Sequence, residues 1–251
     1  MSGICLSLSI IPMRYMMTEE LKRKLLDWAD TYQVVSFIET DPVQFPHRFT
    51  RKQDIEISGL LTALMSFGNR KQILQKVEKL HELMGASPYA YVRSGKWRID
   101  FAEDDHRSFY RMLSYVGMRR YFDVLYNVYS SFESMEDALL AQSGCNPFER
   151  LCNLLEVSSK SPQKKLNMFL RWMIRRDSPV DFGLWCRFSP ADLLIPLDTH
   201  VCRVAYMLHL TDSSAFTLKN VRIITASLSE VFPGDPCKGD FALFGYGVTH
   251  K

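Results

Sequence analysis

The chain has 251 residues, of which 47% are hydrophobic and 24% charged, and a formal net charge of +3. These proportions suit one large globular domain or two small ones and exclude a disordered polymer. No apolar run approaches the ~20 residues that a membrane-spanning helix needs, so no membrane partner is expected, and six scattered cysteines without a Cys-x-x-Cys pair point to buried, reduced thiols in a cytoplasmic protein, with no metal site.

In chain order, the apolar stretch from Ile4 to Ile11 is short, has no basic region before it and no clean cleavage site after it. Residues 1–17 therefore read as a disordered or mis-started N-terminus, with Met13, Met16 and Met17 as later starts. Thr18 followed by Glu19 and Glu20 marks a helix start, and Leu21, Leu25, Leu26 and Ala29 recur at helical spacing. Asp41-Pro42 and Pro46 mark an extended link. Ile57, Leu60, Leu61, Leu64 and Met65 form an apolar stripe that predicts a helix from Asp54 to Phe67. Gly68-Asn69 breaks it, and a second helix runs from Lys71 to Met84, with Asn69 as its cap.

Ser87 to Trp97 reads as irregular, Glu103 to Tyr115 as helical, and Arg119 to Tyr129 as helical after an interruption at Gly117. Phe132–Leu140, Pro147–Leu155 and Gln163–Arg176 follow as helices, then a proline-bearing loop from Pro179 to Pro196 with a short helix inside. Asp198 caps a helix through Leu208, and Leu218–Val231 and Phe241–Gly245 complete the series. No strand alternation and no internal repeat is evident. About ten helices with short links predict an all-α fold.

From Val157 to Arg176 the chain carries six basic residues (Lys160, Lys164, Lys165, Arg171, Arg175, Arg176) and no acid. Such a stripe serves either as a phosphate-binding face or as a solvated helix face. The segment Ile195 to Ala205 (IPLDTHVCRVA) brings a proline-bearing loop into a helix with Asp198 at its mouth. An aspartate there can cap the helix by satisfying free amides, or can do chemistry.

This second string resembles the loop-Asp-Thr-His-x-x-Arg signature of the helix-hairpin-helix/GPD DNA glycosylases, with Asp198, Thr199, His200 and Arg203 at the matching positions. Lys164-Lys165-Leu166-Asn167 is similar to that family's nucleophile motif, opening an apolar helix that continues through Met168. The resemblance implies two helical subdomains with a cleft between them (53–190, and 18–52 with 191–251), Lys164 as nucleophile with Lys165 as the fallback, and Asp198 as the group that stabilises positive charge at the sugar. The long separation of Lys164 and Asp198 is similar to the archaeal 8-oxoguanine glycosylase branch. There, Asp240 and Phe244, four apart on one helix face, match the base pocket together with Met168. An N-cap aspartate and a core phenylalanine are the alternative for that pair.

The hairpin carries Ser158 to Gln163 (SSKSPQ) where the family has Gly-x-Gly, so Lys160, Ser161 and Lys165 stand in as phosphate contacts. Asn69, Arg70 and Lys71 occupy the place of the family's duplex-probing wedge, and His200 and Arg203 complete the DNA-binding set. From Asp41 onward the chain also resembles a bacterial family of unknown function distantly related to these glycosylases. The strings DPVQFPHRF (from Asp41), FGNRK (from Phe67), LNMFLRWM (from Leu166) and DFALFG (from Asp240) carry that likeness. Together these imply a monomeric glycosylase of base excision repair, with AP-lyase activity, that removes an oxidised purine from double-stranded DNA without a cofactor. The alternatives are a DNA-binding protein that kept the fold and lost the chemistry, and a helical enzyme acting on free nucleosides.

Overall fold

The computed structural model describes residues 17–250, so the expected disordered terminus, including Cys5, Met13 and Met16, lies outside the described residues apart from Met17. The fold is all-α, with one small β-hairpin that the sequence did not suggest.

Local capping sets most helix ends. Helix α1 (Glu19–Tyr32) starts where the Thr18 side chain accepts the Leu21 amide. After α2 (Ser36–Thr40), the expected extended link is instead two short 3-10 turns, Pro42–Gln44 and Pro46–Arg48, because Asp41 accepts the Val43 amide and both prolines suit a first helical position. Helix α3 (Lys52–Met65) is buried along nearly its whole length, and Asn69 caps α4 (Arg70–Met84).

The segment expected to be irregular holds α5 (Pro88–Ser94), capped by Ser87 and stopped by left-handed Gly95, and α6 (Trp97–Asp100). The helix expected from Glu103 to Tyr115 is absent. Asp105 accepts the Arg107 amide in a side-chain turn, and an antiparallel hairpin of β1 (Ser108–Tyr110) and β2 (Leu113–Ser114) follows. Gly117 does not interrupt α7 (Tyr115–Ser131), since its amide is one of the helix's free donors and the Ser114 hydroxyl accepts it. Next come α8 (Met135–Leu140), α9 (Pro147–Leu154), α10 (Lys164–Ile174), α11 (Thr199–Met207), α12 (Leu218–Ser229) and α13 (Lys238–Thr249).

Two hydrophobic clusters hold the described residues together. One centres on α3 and α10 and gathers α4 to α9; the other joins α1, α11, α12 and α13. Helix α13 contributes to both, through Phe241 to the first and Ala242 and Leu243 to the second. At the heart of the first, buried Glu56 accepts from Trp185 Nε1 (2.6 Å), Tyr129 OH (2.9 Å) and the Met135 amide (3.1 Å). Burial pushes its carboxyl pKa up despite these donors. Close approach of α1 to α13 depends on Gly245, where a Cβ would run into the Tyr32 ring. No helix among the described residues is long and apolar enough to cross a membrane.

Candidate active site

A cleft of about 740 Å³ opens where the two clusters meet. One wall is a single face of α10, because Lys164, Met168 and Arg171 recur at helical spacing. The start of α11 supplies Asp198, Thr199 and His200, and α13 supplies Asp240 and Phe244. The α3–α4 loop contributes Phe67, Gly68 and Asn69, and α4 its first residue, Arg70.

Lys164 Nζ lies 3.8 Å from Asp198 Oδ2, with side chains 32% and 13% exposed. Asp198 also caps α11, its Oδ1 accepting the Val201 amide at 2.9 Å. One oxygen of this carboxylate therefore starts a helix, and the other faces an amine. The neighbouring Lys165 points elsewhere, its ammonium 4.7 Å from the centre of the Phe67 ring. Burial, aided by the charge of Lys164, lowers the pKa of Lys165.

Asp240 is buried inside α13 rather than at its cap, and it pairs with Arg171. Arg171 also donates through Nε to Asp181 (3.1 Å) and lies over the Phe241 ring. Burial raises the Asp240 pKa to about 6; the shared Arg171 opposes the shift only in part, and Asp198 adds to it. Burial also opposes the charge of Arg171, but Asp181, Asp240 and Asp41 outweigh it and hold its pKa above the ordinary value. Arg175 is likewise buried, bonded to Asp181, Asp235 and Gln33.

This ion network corrects the reading of residues 157–176 as one basic stripe. Arg171 and Arg175 face inward and are already committed to carboxylates, so they offer nothing to a phosphate. Among the other DNA-binding candidates, Asn69 and Arg70 line the cleft mouth, and Lys71 and Lys160 are exposed outside it. Asn69 spends its side chain on the Gln72 amide.

The loop from Ser158 to Gln163 replaces glycine by side-chain bonds: Gln163 Nε2 donates to the Ser158 carbonyl (3.0 Å), and Asn167 Nδ2 to that of Pro162 (2.9 Å). These bonds hold Gln163 at φ +39, a left-handed value where glycine is favoured. Ser161 sits half-buried in this loop. His200 Nδ1 donates to the Gly247 carbonyl (2.8 Å), which turns the ring toward Phe244 in the cleft. Arg203 donates to the carbonyls of Gly247 and His250 and so closes the end of α13.

Among the lining residues that escaped the sequence reading as site residues are Phe37, Asp41, Arg171 and Phe216. Asp41 is nearly buried, accepts from Val43, and meets Arg70 Nη2 at 3.3 Å. Burial raises its pKa. Arg171 was findable, since it shares the helical spacing of Lys164 and Met168. The two phenylalanines carried no local signal. Among the described residues, no group of three or more His, Cys, Asp or Glu side chains converges to hold a metal ion.

Compared with known proteins, residues 41–249 match the model of one family, described as protein of unknown function (DUF2400). No curated protein and no solved structure gives a significant match.

Proposed function

The chain belongs to the DUF2400 family, and from its cleft we propose a DNA glycosylase with AP-lyase activity that removes an oxidised purine from duplex DNA. The observation that carries this reading is the approach of Lys164 Nζ to Asp198 Oδ2, 3.8 Å apart, in a cleft of about 740 Å³. A pocket of that size admits a nucleotide turned out of the helix. In this proposal the cleft parts two subdomains, 53–190 and 18–52 with 191–251.

Asp198 takes a proton from the Lys164 ammonium, and the free amine attacks the anomeric carbon. The glycosidic C–N bond breaks with its electron pair leaving on the base, and Asp198 passes the proton it took from Lys164 to the departing base, which restores its carboxylate. Positive charge builds on the sugar as this happens, and the nearby carboxylates of Asp198 and Asp240 stabilise it. Opening of the sugar ring then gives a Schiff base on Lys164, from which strand cleavage can follow. Met168 and Phe244 give the base apolar contact. Asp240, held by Arg171, offers its second oxygen to the base's N–H edge. Arg70, Lys71, Lys160 and Ser161 meet phosphates, whereas Asn69, Lys165, His200 and Arg203 support the cleft mouth.

The test is incubation with duplex DNA containing an oxidised purine, followed by chromatography of the released base. Release by the wild type, lost in Lys164→Gln, supports the proposal. A second reading, a DNA-binding protein without chemistry, is favoured by the role of Asp198 as a helix cap and by the absence of hairpin glycines. It expects salt-sensitive duplex binding and no base release.

A further inference from the structure

None of the residues in α5, α6 and α7 lines the cleft, yet these helices gather cations that no acid neutralises. Arg98, on α6, lays its guanidinium 4.2 Å from the centre of the Trp97 ring and 4.6 Å from that of Tyr126 on α7. Arg93, near the end of α5, approaches the same Tyr126 ring at 5.6 Å. Lys96 precedes α6 and accepts the Ile99 amide on its carbonyl at 3.0 Å, so the side chains of Lys96 and Ile99, one turn apart, share a face. Ile99 is 82% exposed. Among the described residues no carboxylate pairs with Arg93, Lys96 or Arg98. The neighbouring acids are engaged elsewhere: Asp100 accepts from Tyr91 OH (2.7 Å), and Glu103 and Asp123 lie 3.6 Å and 3.9 Å from Arg119.

A surface arginine or an exposed isoleucine alone is ordinary; a fixed set of them is not. Trp97 Nε1 donates to the Val92 carbonyl (3.0 Å), which docks α6 on α5. Arg119 Nη1 donates to the carbonyls of Arg98 (3.2 Å) and Phe101 (3.1 Å), which ties the end of α6 to α7. Arg93 Nη1 donates to the Tyr129 carbonyl (3.0 Å) and the Ser130 hydroxyl (2.7 Å). Gly95, at φ +72, leaves room for Arg98, whose Nη1 would stand 2.6 Å from a Cβ there. A guanidinium stacked on a ring keeps N–H groups along its edge for a planar acceptor, and a side chain already held in place loses little freedom on binding.

We propose that this face docks a short acidic segment of a partner protein, whose carboxylates meet Arg93, Lys96 and Arg98 and whose apolar side chain lies on Ile99. Charge complementarity selects the occupant. Planar carboxylates match the guanidinium fork, and the exposed aliphatic group of Ile99 matches one apolar side chain. Glu103, its side chain 85% exposed beside Arg119, bounds the patch with negative charge and opposes a continuous row of phosphates. The docking does not depend on the chemistry of the cleft.

The experiment titrates the full chain, at low salt, into a fluorescent peptide of four aspartates around one leucine and follows polarisation. The same peptide with asparagines for aspartates, and a fluorescent single-stranded oligonucleotide, are run in parallel. Wild type is expected to bind the acidic peptide and to bind the asparagine peptide about tenfold more weakly. Arg98→Glu and Lys96→Glu should each weaken the acidic peptide about tenfold, and Ile99→Ser about threefold. Lys96 and Ile99 are exposed, so their variants carry the test even if Arg98→Glu disturbs the packing of Trp97. No binding of the acidic peptide by wild type overturns the proposal. So does equal binding of the two peptides, or acidic-peptide binding that Lys96→Glu and Ile99→Ser leave unchanged. Oligonucleotide binding that Lys96→Glu removes while the acidic peptide is unaffected overturns it too, and assigns the face to nucleic acid.

Discussion

Asp198 and Lys164 meet through one oxygen of a carboxylate whose other oxygen is a helix cap: Oδ2 lies 3.8 Å from the Lys164 amine, and Oδ1 accepts the Val201 amide at 2.9 Å. The two roles separate by substitution. Asparagine caps a helix about as well as aspartate but carries no charge, whereas alanine does neither. Asp198→Asn should keep thermal stability near wild type and lose base release. Asp198→Ala should lose base release and about 1 kcal/mol of stability as well. Thermal melts beside an activity assay read both effects.

Asp240 should set the acid limb of substrate binding. Its folded pKa is raised to about 6 by burial, so the carboxylate that we propose accepts N–H groups from a base is protonated as pH falls through that value. Binding of lesion duplex is expected to weaken below about pH 6. Asp240→Asn should bind more weakly at pH 7 and show no such limb. Affinity measured at constant ionic strength from pH 5 to pH 8 checks this, and a limb that persists in Asp240→Asn assigns it to another group.

A different titration governs stability. His81 is buried between α3 and α4, with Nδ1 donating to the Val77 carbonyl and the Ser58 hydroxyl donating to Nε2. Burial lowers its pKa to about 4. Because the folded pKa lies below the unfolded one, its contribution is intact above pH 6.5 and is lost as pH falls from there to about 4, by up to about 3 kcal/mol. The raised carboxyls work in the opposite direction, so the difference between proteins is the informative quantity. Denaturant unfolding of wild type and His81→Gln at pH 7 and pH 4.5 should show a smaller penalty for the substitution at the lower pH.

Gly245 is expected to tolerate no side chain. Alanine is the better helix former by about 1 kcal/mol, but its methyl group would overlap the Tyr32 ring, and such overpacking costs about 1–3 kcal/mol. Gly245→Ala should therefore lower the melting temperature. It should also weaken substrate binding, because Phe244 and Asp240 ride on the displaced helix. Gly245→Ala combined with Tyr32→Ala should recover part of the loss.

How much of this was legible beforehand depended on distance along the chain. Thr18, Asn69 and Asp198 each cap a helix within three residues of themselves, so the starts of α1, α4 and α11 were readable from local spacing. The hairpin was not, because Phe109 and Tyr110 are held by partners on distant segments such as Lys76 and Phe67. The same limit explains the site. Lys164, Asp198, Asp240, Phe244 and Met168 were singled out by strings, and all five line one cleft. Asp41 looked like part of a link, and Arg171 like one member of a basic stripe that was either a phosphate-binding or a solvated face. Their burial and pairing arise only when α10, α13 and the Asp41 turn come together.

The most direct measurement is borohydride trapping of the full chain on duplex DNA carrying an oxidised purine. Reduction fixes a Schiff base as a covalent adduct, and the placement of the two amines separates the candidates, since Lys164 faces Asp198 and Lys165 lies over Phe67. An adduct with wild type and Lys165→Gln, absent in Lys164→Gln, is the expected result. An adduct that survives Lys164→Gln, or no adduct from a wild-type protein that binds the duplex, contradicts Lys164 as the nucleophile of this cleft.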